Sequence, residues 1–180
     1  MSSHTFDEIL EGRRSQPGQL IEVLQDIQED FGYKELVAEE IQLGNFIHHR
    51  LKTLKSSFEH REVEINTRFS PAPNIYMPTE PLCKIVDGLV KNAIENTPDE
   101  GKIEIVVQPK GEGTQMIVRD FGVGITEENQ SRIFEGFYAT QETLDYSSKR
   151  PFDFNAGGKG VDLLRMKIFS ERYNFKIDMK

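Results

Sequence analysis

Four short blocks in the second half of the chain carry groups that chemistry could use. Asn92, inside Lys91-Asn92-Ala93, offers a neutral amide oxygen of the kind a hard cation accepts. Asp120 opens the run Asp-Phe-Gly-Val-Gly-Ile. Its carboxylate only accepts hydrogen bonds and so selects a ligand edge that donates them. Gly157-Gly158-Lys159-Gly160 opens a helical stretch, where free backbone N–H groups and the helix dipole favour an anion. Ile133-Phe134-Glu135-Gly136-Phe137-Tyr138 lies between, and Phe134, Phe137 and Tyr138 are suited to packing. Roughly twenty residues then separate it from the glycines, a length typical of a functional cover. Each block alone is also an ordinary turn or helix edge, so their shared order carries the information.

That order and spacing resemble the N, G1, F and G2 boxes of the GHKL ATPases, and within them the catalytic ATP-binding domain of sensor histidine kinases. The resemblance covers about residues 40–180. It implies an α+β class, a two-layer α/β sandwich of the Bergerat type with a mixed, mostly antiparallel sheet. It implies ATP and Mg2+ as cofactors, with Asn92 on the metal and Asp120 on the exocyclic amine of adenine. Gly122 and Gly124 would let the backbone turn and approach base and sugar. Asn96, Ile125, Tyr138 and Leu163 complete the implied nucleotide contacts; Gly158 and Gly160 meet the phosphates, and Lys159 reaches them as a point charge. The implied reaction passes the γ-phosphate of ATP to a histidine on a separate domain or protein, with a response regulator downstream. Such transfer works by positioning and charge neutralisation. Two other classes remain open: a protein serine kinase like the anti-sigma factors, and a nucleotide switch without catalysis. The glycine block is not a Walker loop, because Lys159 is followed by glycine. Asp-Phe-Gly is not the eukaryotic kinase tripeptide either, since no His-Arg-Asp loop precedes it.

Two positions depart from the family pattern. Gly88 stands four residues before Asn92, where the superfamily usually presents asparagine or glutamate, and Asp162 stands where the kinases usually carry glycine. Asp87 is turned about 140° from Asn92 around a helix and is a poor substitute. Glu95, one turn on, is the nearest carboxylate; it reads equally as a polarising catalytic base or as a solvent-facing helix residue. His4, His48, His49 and His60 lack the context of a phosphoacceptor, so they read as surface or structural residues.

The elements that must position these groups follow from periodicity. Leu82, Ile85, Val86, Leu89 and Ala93 make an apolar face in a helix over 79–96, with Thr79 as candidate cap and Asn92 at the edge of that face. Alternation predicts strands over 61–69, 102–108, 115–120 and 175–179, a short one over 41–43, and helices over 46–58 and 161–173. Thr126 is a candidate cap for another helix, with Glu127 and Glu128 in its first turn. Residues 1–39 read as a helical appendage, entered at Pro17 and stopped at Gly32, and offer a possible route to oligomers. Part of it resembles the N-terminal helices of the thioredoxin-like iron–sulfur subunit of NADH dehydrogenase, but that family's four cysteines are absent.

Composition sets the outer bounds. With 180 residues there is room for one well-packed domain and a small appendage. A net charge of −8 argues against a nucleic-acid footprint or an anionic membrane surface. Cys83 is the only cysteine, which excludes an intrachain disulfide and a cysteine-rich metal site. No apolar run reaches membrane-spanning length and no signal-peptide core opens the chain, so the expected location is cytoplasmic.

Overall fold

A computed structural model describes residues 36–122, 124, 150–156 and 161–179. In chain order its elements are β1 (Glu39–Ile41), α1 (Leu43–Phe58), β2 (Glu64–Phe69), β3 (Ile75–Met77), α2 (Thr79–Asn96), β4 (Lys102–Lys110), β5 (Gly113–Asp120) and α3 (Val161–Arg172). One sheet has the order β2-β4-β5, parallel between β2 and β4 and antiparallel between β4 and β5. β1 and β3 pair antiparallel in a second, two-stranded sheet. Helices on a mixed, mostly antiparallel sheet are the α+β class expected.

Alternation and helical period build the core together. Ile103, Ile105 and Val107 of β4 are buried, whereas Glu104, Val106 and Gln108 between them are not, as period two requires. The core also includes Leu82, Ile85, Val86, Val90, Ala93 and Ile94 of α2, with Met166 and Phe169 from α3. α2 touches α1, α3 and β5. Being clasped on several sides, it buries Val90 and Ile94 beyond the single expected stripe, while Leu89 is only half-buried.

Several boundaries differ from expectation, each for a local reason. Pro78, not Thr79, is the N-cap of α2, with φ −65° and ψ 141° and no side-chain cap bond. The proline ring sets the entry, and Pro81 sits in the first turn where a missing N–H costs little. α1 starts at Leu43 because Gln42 caps it, its Oε1 accepting the Asn45 N–H at 2.6 Å; the short strand therefore shifts back to Glu39–Ile41. β2 begins only at Glu64, since the Arg61 N–H closes the end of α1 on the Phe58 carbonyl at 2.9 Å. Residues 175–179 alternate like a strand but form no ladder among the described residues. The helical reading of residues 1–39, its oligomer route and its redox-subunit resemblance fall outside the described residues up to 35, and Glu39 already opens a strand. Among the described residues no helix is long and apolar enough to cross a membrane.

Arg61 ties the C-terminal end of α2 to the rest of the fold. Its guanidinium is buried and donates to Asp99 Oδ1 at 2.7 Å and to the carbonyls of Thr97 at 2.8 Å, Phe152 at 2.7 Å and Ile94 at 3.3 Å. The last carbonyls of a helix lack internal partners, so one planar cation satisfies several at once. Replacing Arg61 with alanine leaves the buried carbonyls of Ile94 and Thr97 without this donor. The expected loss is about 2–4 kcal/mol of stability, read from urea unfolding midpoints. Arg61→Lys recovers only part of it, because an ammonium cannot span the same fork.

Candidate functional site

The Asp120 turn and the helix carrying Asn92 meet through their backbones. A Cβ placed on Gly122 would lie 1.8 Å from the Asn96 carbonyl oxygen and 2.6 Å from its carbonyl carbon. Only a residue without a side chain allows that approach. Gly122 was expected to make room for a base and sugar; its first effect is to seat the end of β5 against the end of α2. Its N–H donates to Asp120 Oδ1 at 3.2 Å, which holds the carboxylate in the turn. Gly124 follows with φ +69°, and a Cβ placed there would meet nothing within 4 Å, so it serves backbone conformation rather than packing.

On α2 the other candidates fall along one side. Asn92 is half-buried, and among the described residues its carboxamide has no hydrogen-bond partner; its backbone carbonyl accepts the Asn96 Nδ2–H at 2.7 Å. Asn96 thus turns its amide nitrogen back onto its own helix. Asp87 faces the other way, where both carboxylate oxygens accept from Arg50 of α1. Leu163 is half-buried in the first turn of α3. Ile125, Tyr138, Gly157, Gly158, Lys159 and Gly160 lie outside the described residues, as do the aromatic block over 133–138 and the helix start at Thr126.

Glu95 is not solvent-facing. Its side chain is 5% exposed, and Oε1 accepts the Phe152 N–H at 3.0 Å, while its backbone carbonyl accepts the Asn155 N–H at 2.8 Å. Burial pushes its carboxyl above the usual carboxylate range, opposed by the Phe152 N–H and by Lys91. Both hydrogen bonds that Glu95 accepts here come from the turn over 150–156. That turn is strained: Phe152 has φ +73° and Asn155 φ +55°, values a bulky side chain rarely adopts. Phe152 is clamped at both polar groups, its N–H by Glu95 and its carbonyl by Arg61. Asp153 is held below the usual carboxylate range first by the Arg150 N–H and then by His60, whose Nε2 lies 2.9 Å from Oδ1. His60 is therefore structural, and His48 and His49 are exposed on α1. Arg61 and this turn were missed in the sequence because nothing near either names its partner.

A second ion network joins α2 to α3. Lys91 Nζ lies 4.0 Å from Glu95 and 3.5 Å from Asp162, whose other oxygen accepts from Arg165 at 2.9 Å. Gly88 faces the same group: a Cβ there would stand 3.3 Å from Asp162 Cβ and 2.9 Å from Met166 Cε.

An unengaged amide, an acceptor carboxylate and glycine backbone are the kinds of group that a purine nucleotide and a hydrated hard cation need. The model of the histidine kinase-, DNA gyrase B-, and HSP90-like ATPases matches residues 78–180. The chain belongs to that ATPase family, and its ATP-binding domain is of the histidine kinase catalytic type. The adaptive-response sensory kinase SasA of Gloeothece citriformis is 32% identical over 125 residues, 68% of this chain and 30% of that kinase. Full-length ShkA, solved in complex with AMPPNP, matches with a TM-score of 0.64 at 19% identity, covering 85% of this chain and 31% of that one. ThkA, solved with the response regulator TrrA, matches with a TM-score of 0.58 at 22% identity, covering 68% and 37%. The chain spans less than a third of the length of the curated relatives it matches.

Two substitutions at the site have distinct expected outcomes. Gly122→Ala pushes the Asp120 turn off α2 and costs more stability than Gly124→Ala, whose price is a left-handed conformation of about 1–2 kcal/mol; denaturant unfolding of both variants compares them. Glu95→Gln keeps an acceptor for the Phe152 N–H and removes a buried charge, so stability at neutral pH is unchanged or raised. Glu95→Ala lowers it by about 1–3 kcal/mol. Because the folded carboxyl titrates above its unfolded value, its cost is absent at low pH and grows as pH rises through the folded pKa. The gap between the urea midpoints of wild type and Glu95→Gln is therefore constant below the unfolded pKa and changes as pH rises from there through the folded one.

Proposed function

We propose that this domain binds ATP with magnesium and transfers the γ-phosphate to a histidine carried by a separate domain or protein, with a response regulator as a further partner. The observation that carries the reading is the abutment of Gly122 on Asn96, which brings the Asp120 carboxylate to the end of the helix bearing Asn92. The ShkA complex with AMPPNP supports an ATP-like ligand, and the ThkA complex with TrrA supports a response-regulator partner. The reaction belongs in the cytoplasm, where ATP is available.

Asp120 accepts a hydrogen bond from the adenine amine and rejects a guanine, which would present oxygen there. Asn92 supplies one neutral oxygen to magnesium. Bound magnesium neutralises phosphate charge and leaves its remaining sites to phosphates and water. Gly158 and Gly160, with Lys159, offer N–H groups and a cation to the phosphates; Ile125, Tyr138 and Leu163 border the nucleotide, and Asn96 supports Asn92 from the next turn. Glu95 is assigned to holding the 150–156 turn and not to proton transfer. His60 is engaged by Asp153, and the acceptor histidine is assigned to a separate domain or protein.

Titration with a non-hydrolysable ATP analogue tests the site. Wild type binds it only with magnesium; Asp120→Asn loses the preference for adenine over guanine, and Asn92→Ala raises the magnesium requirement by about tenfold or more. Labelled γ-phosphate then appears on an acceptor domain in an acid-labile form. An acid-stable phosphoprotein would instead identify a serine kinase, and analogue binding without any transfer a nucleotide switch.

A further inference from the structure

Asp162 occupies the surface of α2 that Gly88 leaves bare. A Cβ at Gly88 would stand 3.6 Å from the Asp162 carboxyl carbon, so that head group fills the space a polar side chain at 88 would reach. Gly88 and Asn92 are one turn apart on the same side of α2, about 6 Å along its axis. The carboxylate is only 23% exposed and is oriented from two directions: Arg165 donates to Oδ1 at 2.9 Å, and Lys91 Nζ lies 3.5 Å from Oδ2. Glu95 is instead directed to the 150–156 turn, where its Oε1 accepts the Phe152 N–H. Asp87 is held toward α1 by Arg50. Among the described residues, the two positions that depart from the family pattern thus face each other across the α2–α3 contact.

We propose that Asp162 is a positioning residue for magnesium, delivered from α3 onto α2 in place of a polar side chain at position 88. Its carboxylate accepts hydrogen bonds from water on the cation that Asn92 holds, and Lys91 and Arg165 fix its direction. The pairing explains both departures at once: Gly88 provides the space, and Asp162 provides the group. This inference rests on the magnesium–ATP reading above.

The test is a double-mutant cycle with binding of a fluorescent ATP analogue as readout, independent of any phosphate transfer. Asp162→Ala raises the magnesium concentration for half-maximal binding by about tenfold or more, the usual effect of losing an outer-shell partner. Gly88→Asn in the Asp162→Ala background returns it toward the wild-type value, because the polar group is restored from α2 itself. Lys91→Met breaks the same ion network and lowers the melting temperature, yet moves the magnesium requirement less than Asp162→Ala does. If Asp162 only braces the two helices, the melting temperature falls in Asp162→Ala while the magnesium requirement stays put or drops; that result overturns the proposal and leaves the ATP reading standing. Absence of magnesium-dependent binding in the wild type overturns both.

Discussion

A backbone contact between Gly122 and the Asn96 carbonyl governs the arrangement of the site. It is short enough to forbid any side chain at 122, and it fixes where β5 ends relative to α2. Asp120 lies two residues before that contact, and the Gly122 N–H donates back to its carboxylate. A site assembled from remote segments needs such a fixed reference, since errors of an ångström in either carrier weaken every contact to a shared ligand.

The same end of α2 also organises the turn over 150–156. Arg61 gathers carbonyls from Ile94, Thr97 and Phe152, and Glu95 takes the Phe152 N–H from the other side. Two non-glycine residues in that turn hold left-handed conformations, which persist only where the surroundings over-determine them. Here the over-determination is visible as bonds to both polar groups of one residue. Asp99 and Asp153, both held below the usual carboxylate range, stay charged beside Arg61 and His60 in the folded state. That stabilisation is present above their unfolded pKa values and is lost as pH falls through the folded ones.

Features set by local pattern were legible in the sequence, and features set by remote partners were not. The span of α2 followed from its apolar spacing, and the two strands of the β4–β5 hairpin from alternation. The importance of Asp120 and its glycines was readable as a motif, but the reason for Gly122 was not, because the obstructing atom belongs to Asn96. Glu95 lies on a helix that reads as amphipathic, and only the arrival of Phe152 from another part of the chain makes it a buried acceptor. Arg61 looked like the opening of a strand; its burial depends on carbonyls from two other segments. Alternation at 175–179 likewise describes a strand only if a partner exists to complete a ladder, and none does among the described residues.

Charge balance around α2 accounts for the neutral group at position 92. The C-terminal end of a helix carries partial negative charge. Glu95 and Asp162 add two carboxylates near Lys91, and the desolvated Glu95 already titrates high. A third carboxylate at 92 would repel both and raise the cost of every charge there before any cation arrived. An amide supplies a hard oxygen without adding to that field. On the proposed magnesium–ATP reading, selectivity for a cation that keeps its water would follow from one neutral ligand on α2 and acceptors set one layer back, rather than from a closed cage of carboxylates.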